Sequence, residues 1–317
     1  MINADNPSAW KADIAQSVQM YNDWFLGAAP KTYRDARIAS TARVEAAFVA
    51  TDDLRTITPD AILAEPSILA VLRMSTAPPL ARDRLTGLSG TSKSLLYSLE
   101  VGVIPPRMIR SVRNDNLRAM CDVLIALIDL DLFPWLSTGG STEERDRDLA
   151  TMVVTDRLTG AAADPIIRNA QEVRQLALIE QWLEIRQYRR KSHPATKPLN
   201  EMEPGTYSFR MNVVAANESG RSVNIPIDAV IQPHSAISGA IPLLIEAKSA
   251  GDFTNTNKRR KEEATKVRQL RAMLGEETSL LLFLCGYFDA GYLGYEAAEG
   301  LDWVWEHRIE DLERAGV

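Results

Sequence analysis

Apolar and polar positions change their period once along this 317-residue chain. Up to Arg190 the apolar side chains recur every three or four positions, which predicts helices. Trp10, Ile14, Val18 and Tyr21 mark one face of a helix over Trp10–Leu26, and Thr32–Ala50 is rich in Ala and Arg with little alternation. Pro59 precedes a helix start at Asp60–Leu63, and Pro66 opens another over Ser67–Met74, ended by the break Met74–Pro79. Two short apolar pieces flank the glycine-rich turn within Leu85–Leu96, a pattern that suits a helix-turn-helix, a hairpin-helix element or an ordinary helix connection. Asn114–Leu130 predicts a buried helix. A Ser/Gly turn at Ser137–Ser141 and the charged run Glu143–Asp148 follow. Asp164-Pro165 starts the clearest helix, Ile166–Arg190, with Ile167, Ala170, Val173, Leu176, Ile179 and Leu183 on one face.

Beyond the break His193–Pro198 the period becomes two. Tyr207–Ala215 and Ser222–Ile231 predict a hairpin around Asn217–Gly220. Ile241–Ala247 predicts a third strand, Thr256–Leu274 a helix and Leu280–Tyr287 a buried strand. The expected fold is mixed α/β: a central mixed sheet flanked by helices, after a largely helical N-terminal region. We expect residues 1–150 to be that helical region and residues 151–317 to form the sheet-bearing core.

Composition narrows the classes. Hydrophobic residues make up 45 % of the chain and charged residues 25 %, as in a packed globular protein. Cys121 and Cys285, the two cysteines, both fall in apolar runs, which suits reduced core residues rather than a disulfide framework or zinc site. Three histidines make a His-rich metal cluster unattractive. A net charge of -6 argues against a nonspecific nucleic-acid coat protein but leaves room for a basic cleft, and Arg189-Arg190-Lys191 and Lys258-Arg259-Arg260-Lys261 supply local positive charge. The first residues carry no leader-like pattern and no apolar run reaches the length of a membrane span, so a cytoplasmic protein with no membrane partner is expected.

The chemistry concentrates where apolar strands end in charge. Asp228 follows Pro226-Ile227, and Glu246-Ala247-Lys248 closes the next strand. Residues two apart in a strand share a face, so Glu246 and Lys248 project together while Ala247 turns towards a core. Each alone suits a solvated strand end or a surface ion pair. Together their order and spacing match the PD-(D/E)XK nucleases. In that chemistry Asp228 and Glu246, with the Ala247 carbonyl, hold Mg²⁺, and the Lys248 ammonium orients or deprotonates the attacking water and offsets charge at phosphorus. Glu172, on the helix after Asp164-Pro165, is a further candidate; its competing role is an ion pair with Arg168. The small polar residues after Lys248, including Asp252, Thr254, Asn255, Thr256 and Asn257, and the basic run Lys258, Arg259, Arg260 and Lys261 are candidates for reading base edges or phosphates. Glu262 and Glu263 answer that run if the helix is merely solvated.

Around these motifs the chain resembles the type II restriction endonucleases of the XamI family. The resemblance rests on Trp24-Phe25-Leu26 with Ala29–Arg34, Gly87-Leu88-Ser89-Gly90 with Ile104–Arg107, Asp164-Pro165 with Arg168–Glu172, and above all Leu244–Glu263. It departs from a literal Pro-Asp, because Ile227 lies between Pro226 and Asp228. The resemblance implies a bacterial enzyme that cuts both strands of double-stranded DNA at a short palindromic site with Mg²⁺. It also implies a homodimer and a companion DNA methyltransferase acting on the same site. The competing expectations are a repair or recombination nuclease of the same fold, which cuts by structure or end, and a non-catalytic DNA-binding protein using the Gly87–Leu96 element.

Overall fold

The structure, a computed structural model, describes residues 1–194, 197–216, 222–253 and 256–317; the side chains of 164, 215, 216, 222, 223 and 256–261 lie outside that description. The chain opens with helices α1 (Pro7–Ala50), α2 (Pro59–Ala64), α3 (Ile68–Met74), α4 (Arg82–Ser89), α5 (Lys93–Glu100), α6 (Arg110–Ala126), α7 (Pro134–Thr138) and α8 (Glu144–Ile185). Strand β1 (Arg189–Arg190), a 3₁₀ turn (Leu199–Glu201), β2 (Thr206–Ala216), β3 (Ser222–Gln232) and β4 (Leu243–Ala250) follow. The chain ends with α9 (Thr256–Leu274), β5 (Leu280–Gly286), α10 (Ala290–Ala298), β6 (Asp302–Trp305) and a 3₁₀ stretch (Glu306–Ala315). Among the described residues no helix is long and apolar enough to cross a membrane.

Two compact units emerge: Pro30–Ile166, and Met1–Ala29 together with Ile167–Val317. The first is helical, and its core gathers Phe48, Leu69, Leu72, Leu96, Leu117, Leu124 and Phe133, all buried. Within it α4 ends at Gly90, whose φ of 66° suits a residue without a Cβ. Three residues after the last of α4, the Ser92 side chain accepts the Leu95 N–H at 3.2 Å and starts α5. Two helix boundaries differ from the sequence expectation. Trp10–Leu26 and Thr32–Ala50 are one helix, α1, with Pro30 inside it, and α8 begins at Glu144 rather than at Pro165. A proline removes one backbone donor and strains its own turn, which long flanking helices outweigh. Glu144 and Asp146 in the first turn of α8 favour a helix start at the charged run.

The second unit is built on a six-stranded mixed sheet in the order β1-β2-β3-β4-β5-β6. β2, β3 and β4 are antiparallel neighbours; β1 lies parallel to β2, and β5 runs parallel to both β4 and β6. Apolar clusters cover the sheet on both faces, which is why β5 is buried along its whole length. Leu176, Ile179 and Leu183 of α8 pack with Ala229, Ile245 and Phe283. Val267 and Leu270 of α9 pack with Ile227, Leu244 and Leu280. A third cluster joins Phe288, Tyr292, Leu293, Trp303 and Trp305. The N-terminus is tied to β6: the backbone N–H groups of Asn3 and Ala4 each donate to Asp302 Oδ1 at 3.0 Å.

Strict alternation fails at one point in the β2–β3 hairpin. Tyr207 and Phe209 pack with the α8 side of the sheet, whereas Met211 and Val213 pack with the α9 side. On β3 the same exchange separates Ala229 and Ile231 from Ile225 and Ile227. The ladder pairs Phe209 with Ala229 and Met211 with Ile227, and the change of side falls at the position between, Arg210 and Asp228. Arg210 makes the turn-over by adopting a φ of 52°, a left-handed backbone uncommon outside glycine, Asn and Asp.

Candidate active site

Asp228 and Glu246 come together through strand register. The last backbone pair between β3 and β4 is Ala229 with Ile245. One position further, Asp228 and Glu246 stand opposite each other, and opposite residues of an antiparallel pair share a face. There the ladder ends, and the Ala247 N–H donates to Asp228 Oδ2 at 2.8 Å. Ala247 itself is half-buried against the α8 side, as its place between Glu246 and Lys248 requires.

Lys248 follows on the Glu246 side. Its Nζ lies 3.0 Å from Glu246 Oε1 and 3.5 Å from Glu263 Oε1. Glu263 comes from α9, is only 1 % exposed, and accepts the Tyr292 hydroxyl of α10 at 2.6 Å. One turn later on α9, Lys266 Nζ binds the other oxygen of Glu246, Oε2. The strands thus bring two acids and a lysine to one place, and α9 adds another acid and another lysine.

Glu172 lies on α8 and takes Arg210 as an ion-pair partner at 3.0 Å. A turn further along α8, Gln175 is buried and donates to the carbonyls of Lys248 (3.4 Å) and Phe283 (3.3 Å). This corrects the expected buried face of α8: Val173 is 48 % exposed, while Gln171 and Gln175 turn inward. The Gln175 amide goes inward because the carbonyls of Lys248 and Phe283 await it there.

Burial pushes the Asp228 carboxyl up, and the Glu246 charge pushes it further. The Ala247 N–H and the Lys266 ammonium work against them, Glu172 adds to them, and the carboxyl is held at about 6. Burial alone would lower Lys248, but Glu246 and Glu263 outweigh it and hold the ammonium above its ordinary range.

The raised Asp228 value has a consequence for stability. Between its ordinary 3.8 and about 6, the folded state keeps a proton that the unfolded chain has released. The Asp228 contribution therefore falls as pH rises through that window and is lowest above it. We expect Asp228→Asn to raise the melting temperature of the chelator-treated protein more at pH 7 than at pH 5. An equal change at both pH values would remove Asp228 as a source of pH dependence.

Beyond β4, Asp252 is exposed in the bend that follows the strand. Thr254 and Asn255 lie outside the described residues. Thr256, Asn257, Lys258, Arg259, Arg260 and Lys261 form the first residues of α9, and their side chains also lie outside the description. Glu263 is not the solvated answer to this basic run that its sequence neighbourhood suggests; Glu262 is exposed, Glu263 is buried. One signal was present. Glu263 and Lys266 share a stripe with Val267 and Leu270, at spacings of three, four and seven, so two charges sit on the apolar face of α9. Tyr292 lies in a segment where no element was expected.

Known proteins show similarity to this chain. The XamI restriction endonuclease family matches residues 52–305. Type II restriction enzyme SalI from Streptomyces albus G is 62 % identical over 317 residues, covering 100 % of this chain and 100 % of its own. A solved structure, the crystal structure of protein VC1899 from Vibrio cholerae, is 13 % identical, covers 80 % of this chain and 54 % of that chain, and superposes with a TM-score of 0.27, too partial to bear on the fold. The family match spans most of the chain, with Asp228, Glu246 and Lys248 inside it, and the similarity to SalI runs from end to end: the chain belongs to the XamI restriction endonuclease family.

Proposed function

We propose that this protein is a type II restriction endonuclease with a PD-(D/E)XK core, which uses Mg²⁺ to cut both strands of DNA at a short palindromic site. The observation that carries the proposal is the meeting of Asp228 and Glu246 on diverging strands, with Lys248 on the same side. Among the described residues no three His, Cys, Asp or Glu side chains gather into a cage for a metal. Two mutually repelling carboxylates suit a hard cation that keeps its waters and shares the phosphates of a substrate, as Mg²⁺ does. Asp228, Glu246 and the Ala247 carbonyl would hold it. When bound, Mg²⁺ lowers the pKa of water and offsets charge developing on the phosphate.

The protein's own groups do the positioning. Lys248, held as an ammonium by Glu246 and Glu263, is a donor rather than a base. Its Nζ–H groups orient the attacking water and meet a phosphate oxygen. Tyr292 fixes Glu263, and Gln175 fixes the backbone at Lys248. Glu172, paired with Arg210, contributes charge at the edge of the site.

Sequence is read, in this proposal, by the loop Ser249–Asn257 and the start of α9. Lys258–Lys261 lie within two turns of Glu263, which supports a place beside the cut phosphate. The helical first half supplies dimer contacts or further readout. A two-fold dimer is the simplest reader of a palindrome. A companion methyltransferase guards the same site, in a bacterial cytoplasm.

Plasmid digestion tests this. Mg²⁺ should give discrete fragments with uniform ends on sequencing, and Ca²⁺, with its looser coordination, should allow binding without cutting. Smears or single nicks would favour a structure- or end-directed nuclease, and intact plasmid a DNA-binding protein without catalysis.

A further inference from the structure

The proposed chemistry leaves Lys266 without a task, although it is placed as closely as any group in the site. Both oxygens of Glu246 are taken by ammonium groups: Oε1 by Lys248 and Oε2 by Lys266. The Glu246 and Lys266 side chains are 11 % and 14 % exposed. An ammonium group loses hydration there, and the facing carboxylate offsets that cost. The Lys266 charge acts on Asp228 as well as on Glu246. It therefore serves both carboxylates assigned to the metal.

A divalent cation between Asp228 and Glu246 meets that arrangement as a competitor. It needs an oxygen of Glu246, and a resident ammonium on that carboxylate repels it across a few ångströms of poorly screened space. Lys248 is needed where it stands. Lys266 is not: α9 continues past it, and a four-carbon stem lets its ammonium swing away while its backbone stays packed through Val267 and Leu270.

We propose that Lys266 is a built-in competitor of the metal, which binds the Glu246 oxygen that a cation would need and sets the divalent-ion concentration at which the site fills. The inference rests on the assignment of Asp228 and Glu246 as metal ligands. Lys266 is a counter-charge shared by Asp228 and Glu246.

Titration calorimetry with Mn²⁺ on the full-length, chelator-treated protein, without DNA, tests it. Lys266→Met keeps the stem and removes the charge. It should bind Mn²⁺ roughly tenfold more tightly than the unaltered protein, the effect of one less like charge at this range. It should also melt lower without metal and gain more on adding it. Lys266→Arg keeps the charge and should leave the affinity near its original value. Should Lys266→Met misfold, Lys266→Gln carries the same expectation. Unchanged or weaker Mn²⁺ binding in a folded, uncharged variant would overturn the proposal, as would equal tightening in Lys266→Arg, which would trace the effect to packing. The metal assignment is checked separately. If Glu246→Gln leaves Mn²⁺ binding intact, the ligands lie elsewhere and both conclusions fall; if Glu246→Gln abolishes binding and Lys266→Met does not tighten it, only the role of Lys266 falls.

Discussion

Asp228→Asn should end cleavage and at the same time stabilise the metal-free protein at pH 7. The two effects share one cause. Asp228 is largely buried, faces Glu246, and has its carboxyl held at about 6. Keeping it ionised at pH 7 therefore costs the folded state on the order of 2–3 kcal/mol. An amide of the same shape removes that cost and still accepts the Ala247 N–H. It also removes a charged ligand. The single-turnover rate in saturating Mg²⁺ should drop at least about a thousandfold, equivalent to ~4 kcal/mol of barrier. Rate and melting temperature are read on the same preparation. A variant that cuts at the original rate would end the assignment of Asp228. One that loses activity and also melts lower would show a damaged fold rather than a missing ligand. Stability gained where function is lost is the usual mark of a site arranged for chemistry.

Lys248→Ala carries the second large effect. Its Nζ is held between Glu246 and Glu263, on the side of the sheet where the proposal puts the attacked phosphate. A donor whose contact strengthens as charge develops contributes to the rate rather than to binding. Loss of one such donor commonly lowers a rate by about a hundred- to a thousandfold. The single-turnover rate should fall by that much, while DNA affinity measured in Ca²⁺ stays within a few-fold. If affinity collapses and the rate survives, Lys248 is a phosphate anchor and the donor to the water must be sought elsewhere, with Lys266, on the same Glu246 carboxylate, the first to try.

Much of the sheet was legible before any coordinates. The change of period after the His193–Pro198 break, the hairpin, the third strand, α9 and β5 all follow from alternation and turn residues. The shared side of Glu246 and Lys248 was legible for the same reason, because a two-residue period fixes faces; Asp228, where alternation breaks, was legible only through the order and spacing of the motif. The rest escaped where a local pattern is too short or where tertiary demand overrides it. β1 is two residues long and β6 four, below what periodicity resolves. Pro30 and Pro165 read as boundaries because an isolated helix would stop there, and long helices carried through instead. Gln175 reads as surface because its buried partners, the strand carbonyls of Lys248 and Phe283, leave no trace in the sequence of a helix. Glu263 and Lys266 read as part of a charged helix, since burial of a charge depends on a partner from another strand.

The reversal of faces at Arg210 bears on anyone who diversifies this protein. Asp228 sits opposite a residue whose backbone is left-handed, and that conformation is a filter applied before any side chain is chosen. A randomised library at position 210 will be sorted first by backbone tolerance. Glycine, Asn and Asp pass freely, whereas Val, Ile and Thr pay on the order of 1–2 kcal/mol or pull the hairpin straight. Straightening returns β3 to simple alternation and turns the Asp228 carboxylate off its present line. Position 210 touches no proposed ligand, yet it governs where one of them points, and searches for altered specificity or metal preference that spare it will leave that lever unexplored.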